Sequence, residues 1–242
     1  MFRRLLLAAL LACPGIARAS DGIVELSWNA CSPIVQDLST TTPGTYSVYV
    51  SVRDFDAAHI GYLVEILYGN TNQTVPDAWR FDPAGCQEST YPPIDFTAPP
   101  EVAQACPSLL TSLVGSINIT QIGLNLDRPA WPATNMRLVL AIVYRPGSPG
   151  ADPSKRYFLA RIRFDHTKSV VGDNAPWGSC GGLEQSMCFK LGDAQYAGQD
   201  DIVRNFGRST PTPTLSFNSV AACVGATPAH ATTWGWIRGA YR

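Results

Sequence analysis

Hydrophobic and polar residues alternate along several segments of the chain, with the period of two that is typical of a β-strand with one buried face. Segment 45–53 places valines on the predicted inner face and serines on the outer face. Segment 157–164 repeats the pattern, with Phe158, Ala160, Ile162 and Phe164 inside and Arg161 and Arg163 outside. Segment 59–68 alternates more weakly, and 138–144 is continuously apolar, which predicts a central strand covered on both faces.

Weaker strand candidates, separated by turns rich in Pro and Gly, lie at 23–28, 117–126, 187–191, 214–217 and 232–237. The helix candidate is 101–114, where three leucines cluster on one side. About nine short strands and so little helix predict an all-β protein, an antiparallel β-sandwich of the jelly-roll or immunoglobulin-like type. No linker divides residues 20–242, so we expect a single domain.

Residues 1–19 have the three parts of a cleavable export signal. Arg3 and Arg4 precede an unbroken apolar stretch, and Ala17-Arg18-Ala19 supplies the small residues that signal peptidase accepts. The apolar stretch is far shorter than the roughly 20 residues that span a bilayer, and no later segment is long and apolar enough. We therefore expect a secreted or periplasmic mature protein that begins at Ser20 and has no membrane span.

Lipid anchoring is the alternative to this soluble form, because Leu10-Leu11-Ala12-Cys13 is similar to a lipobox. Cleavage before Cys13 would leave a very short signal, and Pro14 would directly follow the lipidated residue. Both features favour the soluble secreted protein over one anchored at Cys13.

The charge balance argues against nucleic acid as a partner. The chain holds 18 Lys and Arg against 19 Asp and Glu, and removal of Arg3, Arg4 and Arg18 with the signal changes the formal net charge from −1 to −4. The lysines lie far apart and no basic block occurs. Nucleic-acid binding, in contrast, needs clustered positive charge.

Six cysteines remain after signal removal, and an even count in an exported chain predicts three disulfides. The paired short spacings of a zinc site are absent, and the sequence indicates no cofactor. Nearness in sequence favours the pairs Cys86–Cys106 and Cys180–Cys188, and elimination then leaves Cys31–Cys223. This third pair requires the first and last strands to be neighbours, as they commonly are in jelly rolls.

No catalytic motif is apparent. His59, His166 and His230 lie far apart and are typical of structural or surface positions. Asp54 and Asp56 lie two residues apart at a strand end, as a glycosidase acid pair can, although aspartates also favour such turns. We therefore assign no catalytic residue and keep these two aspartates as candidates for an alternative, hydrolytic function.

A calcium site is a further alternative. Asp193, Asp200 and Asp201 supply oxygen ligands of the kind that Ca²⁺ prefers, but their spacing does not match an EF-hand loop. We therefore predict no metal site and leave calcium binding near these aspartates open.

Six tryptophans raise the question of carbohydrate stacking. Trp234 and Trp236 share one face of a predicted strand and are typical of a sandwich core. Trp131 and Trp177 lie beside prolines in predicted loops, so they are the better candidates for an exposed binding site.

Three segments together resemble a group of uncharacterised secreted bacterial β-sandwich proteins: Leu26-Ser-Trp28-Asn-Ala-Cys31, Pro76-Asp-Ala-Trp79-Arg-Phe followed by Gly85-Cys86, and the late Cys180-Gly-Gly…Cys188. A more distant likeness is to cohesin-type jelly rolls, in which a strand such as Gly61-Tyr-Leu-Val-Glu-Ile-Leu-Tyr68 opens onto a loop. Neither group brings a catalytic residue to this chain. The resemblance implies a non-catalytic secreted or surface module whose ligand the fold alone does not define.

The function predicted from these observations is that of a non-catalytic secreted or cell-surface module, which binds an unknown protein or glycan surface or has a structural role. The alternative is a secreted hydrolase that acts on glycans through two carboxylates from separate strands. A deep cleft flanked by two carboxyl groups would favour the hydrolase, whereas a flat or shallow patch would favour the binding module.

Overall fold

Twelve strands and two single-turn helices make up the described part of the computed structural model. It describes residues 21–70, 74–81, 85–87, 94–110, 116–124, 136–148, 150–172, 180–208, 213–219 and 223. The strands are β1 (Asp21–Trp28), β2 (Asp37–Leu38), β3 (Thr45–Phe55), β4 (His59–Gly69), β5 (Ile94–Asp95), β6 (Ser116–Leu124), β7 (Met136–Ser148), β8 (Arg156–Asp165), β9 (Met187–Gly198), β10 (Val203–Asn205), β11 (Gly207–Arg208) and β12 (Thr214–Phe217). The helical turns are a 3₁₀ turn, Asp77–Trp79, and α1 (Pro100–Ala103).

The strands form two sheets packed face to face, which confirms the predicted all-β sandwich. The five-stranded sheet has the order β11-β1-β3-β8-β5, and the larger sheet has the order β2-β12-β9-β4-β7-β6, with β10 also paired to β9. The pairings are antiparallel except for two short ones, β1 with β11 and β2 with β12. The described part of the chain contains no helix that is long and apolar enough to cross a membrane.

The main core lies between the sheets and contains most of the residues that the alternation predicted to be inside. It includes Val48, Val50 and Val52 of β3 and, from the other strands, Val64, Ile66, Leu140, Ile142, Ile162 and Phe164. Two buried side chains also hydrogen-bond from one sheet to the other: Trp28 Nε1 donates to the Ser216 carbonyl at 2.9 Å, and Tyr62 OH donates to the Leu159 carbonyl at 2.6 Å. Because a buried polar group needs a partner, these bonds help to set how the two sheets lie against each other.

The central strands of the larger sheet are buried on both faces. On β7, Leu138, Leu140 and Ile142 belong to the main core, while Val139 and Ala141 belong to a second buried cluster on the opposite face. The continuously apolar segment 138–144 is therefore the two-sided central strand that the sequence predicted. Strands β4 and β9, which flank each other in this sheet, are also buried almost throughout.

The predicted position of Phe158 in the main core is wrong. Between Val50 and Ser51 the register of β3 against β8 shifts, so that Val50 pairs with Ala160 and Ser51 pairs with Phe158. Leu159 is the additional residue of this β-bulge, and it takes the place in the main core that the sequence predicted for Phe158. Phe158 is buried instead on the outer face of the five-stranded sheet.

The predicted helix 101–114 is confirmed only as far as Ala103 and is wrong over 104–110, the rest of the part that the structure describes. Helix α1 ends at Ala103, and the chain then pairs with β8: Phe158 N donates to the Pro107 carbonyl at 2.9 Å and Leu109 N donates to the Phe158 carbonyl at 3.0 Å. Pro107 lacks the N–H that a continuing helix requires, and the edge of β8 offers backbone partners in its place. The candidate strand 232–237 lies outside the described residues.

All six cysteines of residues 20–242 form disulfides, but each predicted pair is wrong. The structure joins Cys31 to Cys106, Cys86 to Cys180 and Cys188 to Cys223, and not Cys86 to Cys106, Cys180 to Cys188 or Cys31 to Cys223. The two cysteines of these pairs are 75, 94 and 35 residues apart in the sequence, respectively.

Topology explains why nearness in sequence was a poor guide. Cys31 follows β1 and Cys106 follows α1, and both lie over the outer face of the five-stranded sheet. Cys188 is on β9 and Cys223 comes after β12, which pairs with β9. The first strand, β1, and the last described strand, β12, belong to different sheets. They meet across the core, through the hydrogen bond from Trp28 to Ser216, but they are not paired neighbours within one sheet.

Candidate functional site

Four arginines lie on the outer face of the five-stranded sheet, on the adjacent strands β3 and β8. Residues that alternate with the buried valines of β3 point outward, and so do those that alternate with Ile162 and Phe164 of β8. We call this surface the arginine face and define it by Arg53 of β3 and by Arg156, Arg161 and Arg163 of β8. Arg53 and Arg156 are direct cross-strand partners, which places them side by side.

One half of the arginine face is organised around Glu25 of β1. Arg53 Nε donates to Glu25 Oε1 at 3.3 Å, and Arg156 Nη1 donates to Glu25 Oε2. Arg156 also donates to Ser51 Oγ at 3.1 Å, and Arg53 forms a second ion pair with Asp54. A single, mostly buried carboxylate is therefore shared by two guanidinium groups.

The other half of the arginine face is organised around Asp95 of β5. Arg161 donates to Asp95 Oδ2 from Nε at 2.9 Å and from Nη2 at 2.8 Å, and Arg163 Nε lies 3.4 Å from the same oxygen. Glu101 of α1 accepts a further bond from Arg161 Nη1 at 3.1 Å. Partial burial lowers the pKa of Arg161, but hydrogen bonds to Asp95 and Tyr49 outweigh it and hold the pKa above its usual value. Again one carboxylate is shared by two arginines.

A buried apolar cluster, which we call the apolar island, separates the two halves of the arginine face. It contains Tyr49 and Phe158, whose rings make an edge contact at 6.1 Å between centroids, and the Cys31–Cys106 disulfide. Side chains of α1 pack against the same island. Because a disulfide and strand pairing hold this surface, its arginines need little reorganisation before they meet a ligand.

The guanidinium groups of the arginine face carry more hydrogen-bond donors than their carboxylate partners can accept. A guanidinium carries five N–H donors, and a carboxylate offers acceptors on two oxygens only. Arg163 is 47% exposed and makes one ion pair, to an oxygen that already accepts two bonds from Arg161. The arrangement is therefore suited to accept additional carboxylates, for which arginine is the preferred protein partner.

An open cleft of about 740 Å³ lies at one end of the sandwich, between the start of β1 and the β9–β10 hairpin. Its walls include two carboxylates, Asp21 and Asp200, and both are held by hydrogen bonds from neighbouring side chains. Arg204 donates to both oxygens of Asp200, and these hydrogen bonds hold the pKa of Asp200 well below its usual range. Asp21 accepts a hydrogen bond from Tyr196 OH at 2.6 Å.

The candidate acid pair of the hydrolytic alternative and the three aspartates considered for calcium do not come together at this cleft. Asp54 pairs with Arg53, and neither it nor Asp56 lines the cleft. Asp193 is buried on β9 roughly 16 Å from the end of that strand, given the rise of an extended residue. Among the described residues, no group of three His, Cys, Asp or Glu is placed to hold a metal ion.

The described histidines are structural and buried. Burial lowers the pKa of both His59 and His166 to about 4, so both are neutral at pH 7. His59 Nδ1 bonds to the Ala57 carbonyl at 2.9 Å, and His166 Nδ1 bonds to Ser169 Oγ at 3.0 Å. His230 and the binding candidates Trp131 and Trp177 lie outside the described residues, as do Trp234 and Trp236.

Sequence reasoning identified Arg161 and Arg163 as outward-facing but not as parts of a site. The alternation of arginine with apolar residues along 161–164 was the available signal, because it places two cations on one face of a strand. Their partner Asp95 lies 66 residues from Arg161 and Glu25 lies 131 residues from Arg156, so only the sheet order reveals the shared carboxylates.

Comparison with solved structures finds cohesin modules at low sequence identity. The second type II cohesin module of the adaptor ScaA scaffoldin of Acetivibrio cellulolyticus is 13% identical, with 85% of this chain and 99% of that chain covered and a TM-score of 0.43. A cohesin module from a Clostridium perfringens family 33 glycoside hydrolase is 7% identical, with 81% and 96% covered and a TM-score of 0.38. A type I cohesin–dockerin complex from Clostridium thermocellum gives 6% identity, 83% and 97% coverage and a TM-score of 0.40.

Cohesin modules are the jelly rolls to which the sequence was likened above. No protein-family model matches the chain, and no curated protein matches it in sequence. The class of molecule defined here is a disulfide-linked antiparallel β-sandwich, and a fold of this kind does not by itself define a ligand.

Proposed function

We propose that the mature chain is a non-catalytic binding module of the secreted or cell-surface space, and that its arginine face binds an acidic surface of a protein partner. The observation that carries this proposal is the sharing of Glu25 between Arg53 and Arg156 and of Asp95 between Arg161 and Arg163. Each pair of guanidinium groups is incompletely neutralised by its carboxylate, and partner carboxylates complete the network.

Charge supports an acidic partner over a basic one. The four arginines exceed Glu25 and Asp95 by two positive charges, while the mature chain as a whole is expected to be acidic. Asp54 and Glu101 also form ion pairs with these arginines and bring the number of carboxylates to four. Their side chains are 51% and 60% exposed, so they lie at the margin of the face. Exposed ion pairs of this kind contribute about 0–1 kcal/mol, so carboxylates of a partner can replace them at little cost.

Burial by a partner would strengthen the interaction. Arginine is enriched at the centre of protein interfaces because its planar fork binds carboxylates with two hydrogen bonds and its stem packs on apolar surface. We expect electrostatic steering to raise the association rate and to make binding weaken with added salt.

The cellular location is part of the proposal. Three disulfides support an oxidising compartment, and the signal features of residues 1–19 support export and a mature chain that begins at Ser20. Mass spectrometry of the chain recovered from the producing cell tests this directly. A diacylglyceryl group on Cys13 would establish the anchored alternative instead.

The binding proposal is tested by calorimetric titration of the mature chain with poly-L-glutamate of about 20 residues at low salt. We expect binding that weakens as salt is raised, and at least a tenfold loss of affinity in the double variant Arg161→Gln/Arg163→Gln. The matched control, Arg80→Gln/Lys168→Gln, removes the same charge away from the arginine face and should bind as the wild type does. Equal losses in both variants would show that only net charge matters, and the proposal would then fail.

A further inference from the structure

The cleft at the end of the sandwich has polar walls held by bonds to its surroundings. Tyr196 OH donates to Asp21 Oδ1 at 2.6 Å, and Gln199 Nε2 donates to the Ser148 carbonyl at 2.9 Å. Asn205 Oδ1 accepts a bond from Gln195 Nε2 at 3.2 Å. The polar side chains are therefore oriented before any ligand arrives.

In each of these bonds a carboxylate or amide group uses one of its two polar atoms, and its other polar atom is left for a ligand. Among the described residues, none bonds Oδ2 of Asp21 or Oε1 of Gln199, which are acceptors, or the Nδ2 donors of Asn205. Arg204 adds the Nε donor, because its bonds to Asp200 and to the Ile202 carbonyl come from Nη1 and Nη2. Donors and acceptors thus lie together around one cleft of about 740 Å³, a volume within the range of ligand sites.

The charges of the cleft disfavour ions. Asp200 and Arg204 neutralise each other through two parallel hydrogen bonds, which leaves Asp21 as the remaining charged side chain among the described residues that line the cleft. A phosphate or sulfate would meet one uncompensated carboxylate and a guanidinium that is already paired. A calcium ion needs six to eight oxygen ligands, and the described residues contain no cluster of three acidic or other metal-ligating side chains. A neutral ligand fits these charges better than either ion.

We infer that this cleft binds a neutral saccharide. A hydroxyl group both donates and accepts, so neighbouring sugar hydroxyls match a wall on which donors and acceptors are mixed. Ala57 and Ala58 supply a small apolar surface for the ring. Tyr196 is only 1% exposed, so no tyrosine face is open for stacking, and we expect a weak complex with a Kd on the order of 1 mM. The site is separate from the arginine face and does not depend on the function proposed for it.

The test is an NMR titration of the ¹⁵N-labelled mature chain with four neutral tetrasaccharides: cellotetraose, xylotetraose, mannotetraose and chitotetraose. We expect saturable shifts of the backbone amides of Gly198, Gln199 and Arg204 with at least one of them. Calcium chloride, sodium phosphate and free lysine, added at the same concentrations, should leave these amides unshifted.

Two variants locate the binding. Asn205→Ala removes a ligand-facing donor, and Asp21→Asn replaces a ligand-facing acceptor by an NH₂ donor. Each should weaken binding about tenfold, with the rest of the amide spectrum unchanged. Asp77→Asn, an exposed carboxylate at the opposite end of β4, should bind as the wild type does. Failure of all four sugars to shift the cleft amides, or a response to an ion in their place, would overturn the inference. So would unaltered affinity in both cleft variants.

Discussion

Gly192 on β9 lies directly against the buried carboxylate of Glu65 on β4. A Cβ built at position 192 would come within 2.9 Å of Glu65 Cδ and closer still to its Oε2. The same carboxylate accepts a hydrogen bond from Arg137 Nε at 2.5 Å and another from the backbone N–H of Asp193 at 3.1 Å. Glycine is therefore required at 192 because a buried, ion-paired carboxylate occupies the space that a side chain would need.

Gly192→Ala should destabilise the protein by about 2–3 kcal/mol, because neither the backbone nor the ion-paired Glu65 can move away without loss of its hydrogen bonds. Urea unfolding provides the measurement. Gly44→Ala is the control, since the closest side-chain atom to a Cβ there is Tyr46 OH at 3.6 Å, an ordinary contact. A cost for Gly192→Ala no greater than that for Gly44→Ala would contradict the placement of Glu65.

Non-reducing peptide mapping should recover three cross-linked peptides that join Cys31 to Cys106, Cys86 to Cys180 and Cys188 to Cys223. On the chain-entropy estimate, loops of these lengths stabilise the fold by about 4–5 kcal/mol each. Removal of the pair Cys188 and Cys223 by serine substitution should therefore lower the free energy of unfolding by about 4 kcal/mol. A peptide that links Cys86 to Cys106 would refute this connectivity.

The sequence predicted the fold class and most of the strands because alternation is a local signal that each strand carries alone. The inner valines of β3 and the two-sided segment 138–144 are clear cases. It did not predict the bulge at Leu159, since a one-residue insertion leaves no mark in composition. Disulfide pairs and the shared carboxylates of the arginine face depend on which strands become neighbours, and that order arises only from packing of the whole chain.

Stability should fall between pH 7 and pH 5 because of His59 and His166. Burial lowers both pKa values to about 4, whereas the unfolded chain has the ordinary value near 6.5. The unfolded state therefore binds more protons as the pH falls below 6.5, and the stability loss is complete once the pH is below 4. The expected loss at pH 5 is about 2 kcal/mol for each histidine.

His166→Gln isolates one of these contributions. The variant should be less stable at pH 7, because the ring packs on Trp79 and bonds to Ser169, but its loss between pH 7 and pH 5 should be smaller by about 2 kcal/mol. Urea unfolding at the two pH values gives both numbers. The assignment of the titrating group is wrong if the variant and the wild type show the same pH dependence.

The arginine face is tested most directly by NMR of arginine side chains. The Nε–Hε resonances of Arg53, Arg156, Arg161 and Arg163 report on each guanidinium, and Arg80 and Arg204, which lie elsewhere, are internal references. On titration with an acidic peptide such as poly-L-glutamate, we predict large saturable shifts of the four face resonances and little change in the two references. Shifts spread equally over all six arginines, or confined to Arg80 and Arg204, would contradict the proposed binding surface.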